Sequence, residues 1–182
     1  MLNKIQIVVT SQIIVALMFA LFVVTNKKSL PYVRNLDFPP DFSNGDRLTF
    51  AFRCLVFSAL PLLASVGVIG YLRFWSPNTL AANPVAPVAQ SQQLYHVSQR
   101  VLQNTLEQTA LHVLAILALA SSLDPDQLDV IPVLVLLFVF GRALFMLGYM
   151  YHPLYRGVGF ALTFHPIVAS LVYAIYTISS KS

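Results

Sequence analysis

The chain has 182 residues, of which 57% are hydrophobic and 10% carry a charged side chain, with a net charge of +4. Soluble domains carry about 25% charged residues, so this composition excludes an ordinary soluble globular protein and indicates an integral membrane protein. The eleven Lys and Arg residues are scattered at segment ends. Because they do not cluster, a nucleic-acid-binding surface is excluded.

Five predicted spans follow in chain order, each long enough as a helix to cross a hydrocarbon core of about 30 Å. The first, residues 5–24, is predicted to be a spanning anchor. A cleaved signal peptide is the competing interpretation, but the apolar run is long and lacks a small-residue exit. Pro61 is expected to kink the second span. The remaining spans are predicted at 49–74, 98–122, 130–150 and 158–178, with an exposed linker over 76–98.

This pattern predicts an all-α membrane protein. Its expected organisation is an N-terminal transmembrane anchor over residues 1–25, a polar loop with turns over 26–48, and a unit of four transmembrane helices over 49–182. The first loop carries four basic residues, which the positive-inside rule places in the cytosol. These are Lys27, Lys28, Arg34 and Arg47.

A polar stripe opens the third span. Arg100, Asn104 and Glu107 are spaced by four and three residues, so an α-helix places them on one face. The apolar run at 110–123 is too short to cross the bilayer alone, so the stripe must lie at or inside one interface, with Ser98 as the candidate N-cap. A charge deep in lipid costs roughly 2.5–3.5 kcal/mol or more and marks a candidate functional site.

The fourth span brings more polar residues to the same membrane side, because it runs antiparallel to the third. Arg142 and Tyr149 are two helical turns apart and share a face, and Arg156 follows at the start of the fifth span. For any one residue, snorkelling at a helix end or a Glu107–Arg142 pair between helices is the simpler explanation. The convergence of the whole set favours an anionic ligand.

No metal site is expected. The three aspartates in residues 124–129 lack the glycine and the downstream bidentate glutamate of a calcium loop. They are interpreted as helix-capping residues and as favourable charges near a helix N-terminus. The four histidines show no spacing typical of a metal cluster. They stand at positions 96, 112, 152 and 165.

These motifs resemble the MAPEG family (membrane-associated proteins in eicosanoid and glutathione metabolism). The spacing Arg100-x-x-x-Asn104-x-x-Glu107 is similar to the family's second-helix signature. The segment GRALFMLGYMYHPLYRGVGF, residues 141–160, is similar to the end of the third family helix and the start of the fourth. The resemblance covers about 48–178 and leaves the first span as an N-terminal addition. The extra helix and the HPLYRGVGFALTF wording look most like the mattrin-like branch. The second motif matches in Arg142, Gly148, Tyr149 and Arg156.

The resemblance implies a homotrimer of four-helix cores in the endoplasmic reticulum or another endomembrane, with glutathione bound between subunits near the cytosolic face. This orientation places the loop at 26–48 in the lumen, whereas the positive-inside rule places its basic residues in the cytosol. In the implied site, Arg100 and Arg142 hold carboxylates and Glu107 holds the ammonium. The other implied roles are a bridging hydrogen bond from Asn104, stabilisation of the thiolate by Arg156, and a hydrogen bond from Tyr149 to the sulfur or the peptide.

The implied activity is conjugation of glutathione to lipophilic molecules from the bilayer, or reduction of lipophilic peroxides, with Arg156 and Tyr149 as the catalytic pair. Three positions depart from the pattern of many glutathione-using members, which carry polar or basic residues there. An alternative is therefore a non-catalytic membrane protein of this fold with a structural or trafficking role, and a second is a scaffold whose site has collapsed. The departures are Val97, Gln108 and Phe145.

Overall fold

The computed structural model describes residues 4–39, 41–75, 93–152 and 154–181, and these residues form seven α-helices and no strand. The all-α prediction is confirmed. Short 3-10 turns lie at Lys27–Ser29 and Pro125–Gln127. The helices are α1 (Lys4–Thr25), α2 (Pro31–Arg34), α3 (Asn44–Ser58), α4 (Leu60–Phe74), α5 (Gln93–Ser122), α6 (Val130–Tyr151) and α7 (Arg156–Lys181).

Five of the described segments are long and apolar enough to cross a membrane, with α3 and α4 acting together as one span. The five predicted spans are therefore confirmed. Contacts at the helix ends show that successive spans run in opposite directions. Arg73 at the end of α4 donates from Nε to the hydroxyl of Tyr95 at the start of α5, at 2.9 Å. Lys27 after α1 pairs with Asp129 before α6. We call the end of the bundle that holds Arg73 and Tyr95 the site side. The end that holds Lys27 and Asp129 is the opposite side.

The second span begins at Asn44, earlier than the predicted residue 49, because a capping box starts the helix. The backbone N–H of Asp46 donates to Ser43 Oγ at 3.2 Å, and the Asp46 carboxylate accepts from the Ser43 N–H at 3.3 Å. The Asn44-Gly45 pair, which falls in the loop predicted at 26–48, thus belongs to the first turn of α3. The kink expected at Pro61 is present, since α3 ends at Ser58 and α4 begins at Leu60.

One other local prediction is wrong, and another holds only in part. Ser98 lies buried inside α5, which is already helical at Gln93, so Ser98 is not its N-cap; of the predicted linker, residues 76–92 lie outside the described residues. Asp129 occupies the N-cap position of α6, but its side chain makes no capping hydrogen bond. Instead it accepts from Lys27, whose ammonium gives a charge-assisted bond while the carboxylate still lies favourably at a helix N-terminus.

Helices α6 and α7 approach closely because glycines face each other across the contact. A Cβ on Gly159 would lie 2.6 Å from the carbonyl oxygen of Gly141 and would overlap the backbone of Phe145. Small residues at membrane helix interfaces allow such approach of backbones. On its other face, α7 packs against α1 through Ala16 and Ala161. The glycine contact fixes the position of α6 side chains relative to the start of α7.

Replacing Gly159 with alanine should destabilise the bundle, since the added methyl group meets backbone atoms that cannot move aside. We expect the free energy of unfolding to fall by about 1–3 kcal/mol, the usual range for overpacking. The matched control is Gly67→Ala, where the structure places nothing within 4 Å of the new Cβ. Thermal unfolding in detergent should show a lower midpoint for Gly159→Ala and an unchanged or slightly higher midpoint for Gly67→Ala. Equal midpoints would contradict the close α6–α7 contact.

Candidate functional site

A cavity of about 500 Å³ lies on the site side of the bundle, with walls from α1, α5, α6 and α7 and from the segment between α6 and α7. Its volume is in the range of small-molecule sites, roughly 300–1,000 Å³. Four of the predicted site residues line it: Arg100, Asn104, Tyr149 and Arg156. The structure thus brings together residues from three different helices. The other lining residues are Val9, Phe145, Leu154, Gly157 and Phe160.

Arg142 lies behind this cavity and is completely buried, with 0% of its surface exposed. Its Nη1 donates to Asn104 Oδ1 at 3.1 Å, and its Nη2 donates to Thr105 Oγ1 at 2.7 Å. The guanidinium also lies 4.0 Å from the centroid of the Phe145 ring. Among the described residues Arg142 has no carboxylate within 4 Å and its Nε has no partner. Neutral dipoles and an aromatic face therefore compensate the buried charge.

Arg142 also determines how Asn104 faces the cavity. A guanidinium only donates hydrogen bonds, so the Asn104 group that meets Arg142 must be the amide oxygen. The amide nitrogen of this half-buried, cavity-lining side chain is then left to donate to a ligand. Arg142 is consequently a positioning residue for Asn104, whereas the sequence predicted that it holds a carboxylate directly.

Aromatic rings and guanidinium groups alternate along this wall of the cavity. The rings of Phe145 and Tyr149 meet edge to face, with centroids 5.7 Å apart. The guanidinium of Arg156 lies 4.8 Å from the Tyr149 ring centroid, just as Arg142 lies over Phe145. Both rings are buried, whereas Arg156 is exposed at the first residue of α7. Tyr149 thus fixes Arg156 at the mouth of the cavity.

Glu107 does not line the cavity, in contrast to its predicted place in the pocket. Its side chain is exposed and accepts a hydrogen bond from Gln103 Nε2 at 2.9 Å, and no bond joins it to Arg142. Helical geometry explains why Glu107 does not reach Arg142. Successive residues turn by about 100°, so Thr105 and Glu107 point about 200° apart, and α6 packs on the Thr105 side. Within one copy of the chain, the Glu107–Arg142 pair of the simpler explanation is not formed.

The N-terminal helix α1 contributes to the cavity. Its prediction as a separate anchor did not include this contact. Val9 lines the cavity. Gln12 packs directly over Gly157, where a Cβ would overlap the Gln12 amide oxygen. The glycine next to Arg156 therefore allows α1 to lie against the start of α7 and to close the cavity on its bilayer-facing side.

A second, basic crevice of about 430 Å³ lies between α4 and α5. Arg73 and His96 line it, and Arg100 lines both this crevice and the cavity. None of its lining residues is acidic. The site side of the bundle therefore presents two guanidinium groups in this crevice, that of Arg73 from α4 and that of Arg100 from α5.

Within the described ranges, no group of three or more His, Cys, Asp and Glu side chains is arranged to hold a metal ion. His112 is buried, and its ring stacks on Phe138 at a centroid distance of 4.2 Å. His165 Nδ1 lies 3.0 Å from the carbonyl oxygen of Ala161, one turn back along α7. These two imidazoles thus have structural contacts.

Comparison with known proteins assigns the chain to a family. The model of the MAPEG family matches residues 7–176, so the chain belongs to that family and is an integral, multi-pass membrane protein. The match extends into α1, beyond the residues 48–178 that the motifs indicated. The predicted family is confirmed.

Two relatives carry the name Transmembrane protein 79, in agreement with the predicted mattrin-like branch. The Mus musculus protein is 25% identical over 130 residues, which is 71% of this chain and 32% of the relative. The Bos taurus protein is 24% identical over 130 residues, 71% of this chain and 31% of the relative. The matched segment thus spans about a third of these relatives. No solved structure matches the chain.

The Arg142–Thr105 bond should be important for stability. Thr105→Val keeps the shape of the side chain but removes the acceptor of a buried guanidinium, which should cost about 1.5–3 kcal/mol. Thr109→Val is the matched control one turn further along α5, because the Thr109 hydroxyl only bonds its own helix at the Thr105 carbonyl, at 2.7 Å. Thermal unfolding of both variants in micelles checks this, and a Thr105→Val midpoint no lower than that of Thr109→Val would contradict it.

Proposed function

We propose that this MAPEG protein binds glutathione in the cavity lined by Arg100, Asn104 and Arg156, and uses it on lipophilic small molecules that reach the site from the bilayer. The observation that carries the proposal is the donor set. Two guanidinium groups and an oriented amide line a cavity of about 500 Å³, and none of the described lining residues is acidic. Such a cavity attracts an anion with more than one acceptor group.

The donor set matches the chemistry of glutathione, which has two carboxylates, one ammonium and one thiol. Arg100 offers a forked pair of donors to a carboxylate, and the Asn104 amide nitrogen offers a further donor. Arg156 can donate hydrogen bonds to the thiolate. Half-ionisation of a thiol at pH 7 requires about 2 kcal/mol, starting from an ordinary pKa near 8.5. One hydrogen bond to a charged group supplies about 1.5–3 kcal/mol.

Completion of the site by other copies of the chain is part of the proposal. Arg100, Gln103 and Glu107 form an exposed polar face on α5, within a segment that crosses the membrane. Exposure of such a face to lipid is costly, so a protein surface should cover it. In a homotrimer, Glu107 of the partner subunit would face the cavity and bind the glutathione ammonium. The trimer, and an endoplasmic reticulum or other endomembrane location, are supported by the family membership.

One observation favours binding without turnover as the second candidate function. Phe145 stands where many glutathione-using members carry a hydroxyl or an imidazole, and its ring is 3% exposed and covered by the Arg142 guanidinium. At this position the wall of the cavity offers no proton donor or acceptor. A protein with this wall can hold glutathione in a structural or trafficking role and leave its thiol unactivated.

Calorimetric titration of the protein in nanodiscs tests the proposed binding. We expect a dissociation constant between the micromolar and millimolar ranges usual for metabolite sites. Arg156→Ala should weaken the binding of glutathione about tenfold, or about 1.4 kcal/mol. The same substitution should leave the binding of S-methylglutathione nearly unchanged, because that molecule cannot form a thiolate. Arg34→Ala, an exposed arginine on the opposite side, is the matched control.

The same samples separate the two functions. Thiolate absorbance on addition of glutathione, together with conjugation of a model electrophile, would establish the enzyme, and both signals should disappear in Arg156→Ala. Binding without either signal would establish the non-catalytic role. No binding at several millimolar glutathione by a folded protein would overturn the proposal.

A further inference from the structure

A long apolar groove of about 600 Å³ lies on the opposite side of the bundle, away from the glutathione cavity. It occurs where α1 separates from α7. The two helices touch near the site side through Ala16 and Ala161, whereas further along Leu21 and Tyr173 line the groove between them. Leu119 of α5 and Leu134 of α6 line it as well.

The groove faces the bilayer. Leu17, Leu21 and Tyr173 on its walls are 42%, 65% and 43% exposed. It extends along α7 from His165 to Tyr173, which is about 12 Å at 1.5 Å per residue. Lys27 and Gln127 lie at its end, in the segments that follow α1 and precede α6. The groove is therefore about as deep as one leaflet, half of a hydrocarbon core of roughly 30 Å.

The mouth of the groove carries both signs of charge. Lys27 donates to Asp129, and an ammonium has two further donors available for another acceptor. Lys28 is exposed beside it in sequence, and Asp126 is exposed in the same turn as Gln127. An anionic headgroup would meet these carboxylates as well as the lysines. A headgroup with a phosphate and an ammonium matches both signs.

We propose that this groove binds one zwitterionic glycerophospholipid of the adjoining leaflet. One acyl chain lies between α1 and α7, the phosphate accepts from Lys27, and the headgroup ammonium faces the aspartates of the 124–129 turn. The lipid fills the wedge beneath the α1–α7 contact and thereby holds α1 against the bundle. This inference is independent of glutathione binding.

Native mass spectrometry of the protein released from nanodiscs with equal amounts of phosphatidylethanolamine and phosphatidylglycerol tests the site. The probe variants are Ala169→Trp and Leu21→Trp, which place a bulky ring in the groove from opposite walls. Both residues are exposed, so the rings can enter without repacking the core. The matched control is Val168→Trp, on the neighbouring residue, which is 40% exposed and does not line the groove.

We expect wild type and Val168→Trp to retain one phosphatidylethanolamine per chain, and both groove variants to lose most of it. Thermal unfolding confirms that each variant is folded. Equal retention by control and groove variants would overturn the site. Preferential retention of phosphatidylglycerol would overturn the zwitterionic headgroup. A change in the number of protein copies in place of lipid loss would show that a second chain occupies the groove.

Discussion

The site depends on one constraint, which is the burial of a permanently charged guanidinium inside a transmembrane bundle without a carboxylate. Arg142 is held by Asn104, Thr105 and the Phe145 ring. Desolvation of such a charge is expensive, and a well-packed apolar residue at such a position is often as stable or more stable. A reason other than stability is therefore indicated. The structure supplies one, because Arg142 turns the donor group of Asn104 toward the cavity and secures the aromatic wall beside it.

Helix α5 carries two polar faces. One contacts the buried charge of Arg142, and the other carries the exposed charge of Glu107. The inner face presents Thr105 to α6, and the outer face presents Gln103 and Glu107 to the surroundings. The outer face is stable in a membrane only if protein covers it. The protein surface missing around Glu107 thus indicates a site that a single chain leaves incomplete, and the proposed symmetric oligomer would supply that surface.

Sequence reasoning predicted the helical class, the five spans and the family, because apolar run length and two spaced motifs are strong signals. It also predicted that Arg100, Asn104, Tyr149 and Arg156 converge. It did not predict which α5 residues face inward. Thr105 was overlooked because a threonine inside a helix gives no signal until a donor lies opposite. Capping by Ser43 and the contact of Gln12 with Gly157 were missed as well, since the first depends on turn geometry and the second on the long-range packing of α1.

A cryo-electron microscopy reconstruction of the protein in nanodiscs with glutathione tests the central claim most directly. The account predicts three copies around an axis, with Arg142 of each copy bonded to its own Asn104 and Thr105, and with glutathione density between Arg100 and Arg156. Glu107 of the partner subunit should face the glutathione ammonium. Single copies with Glu107 exposed to lipid, or an Arg142 that has moved to pair with a carboxylate, would contradict the account.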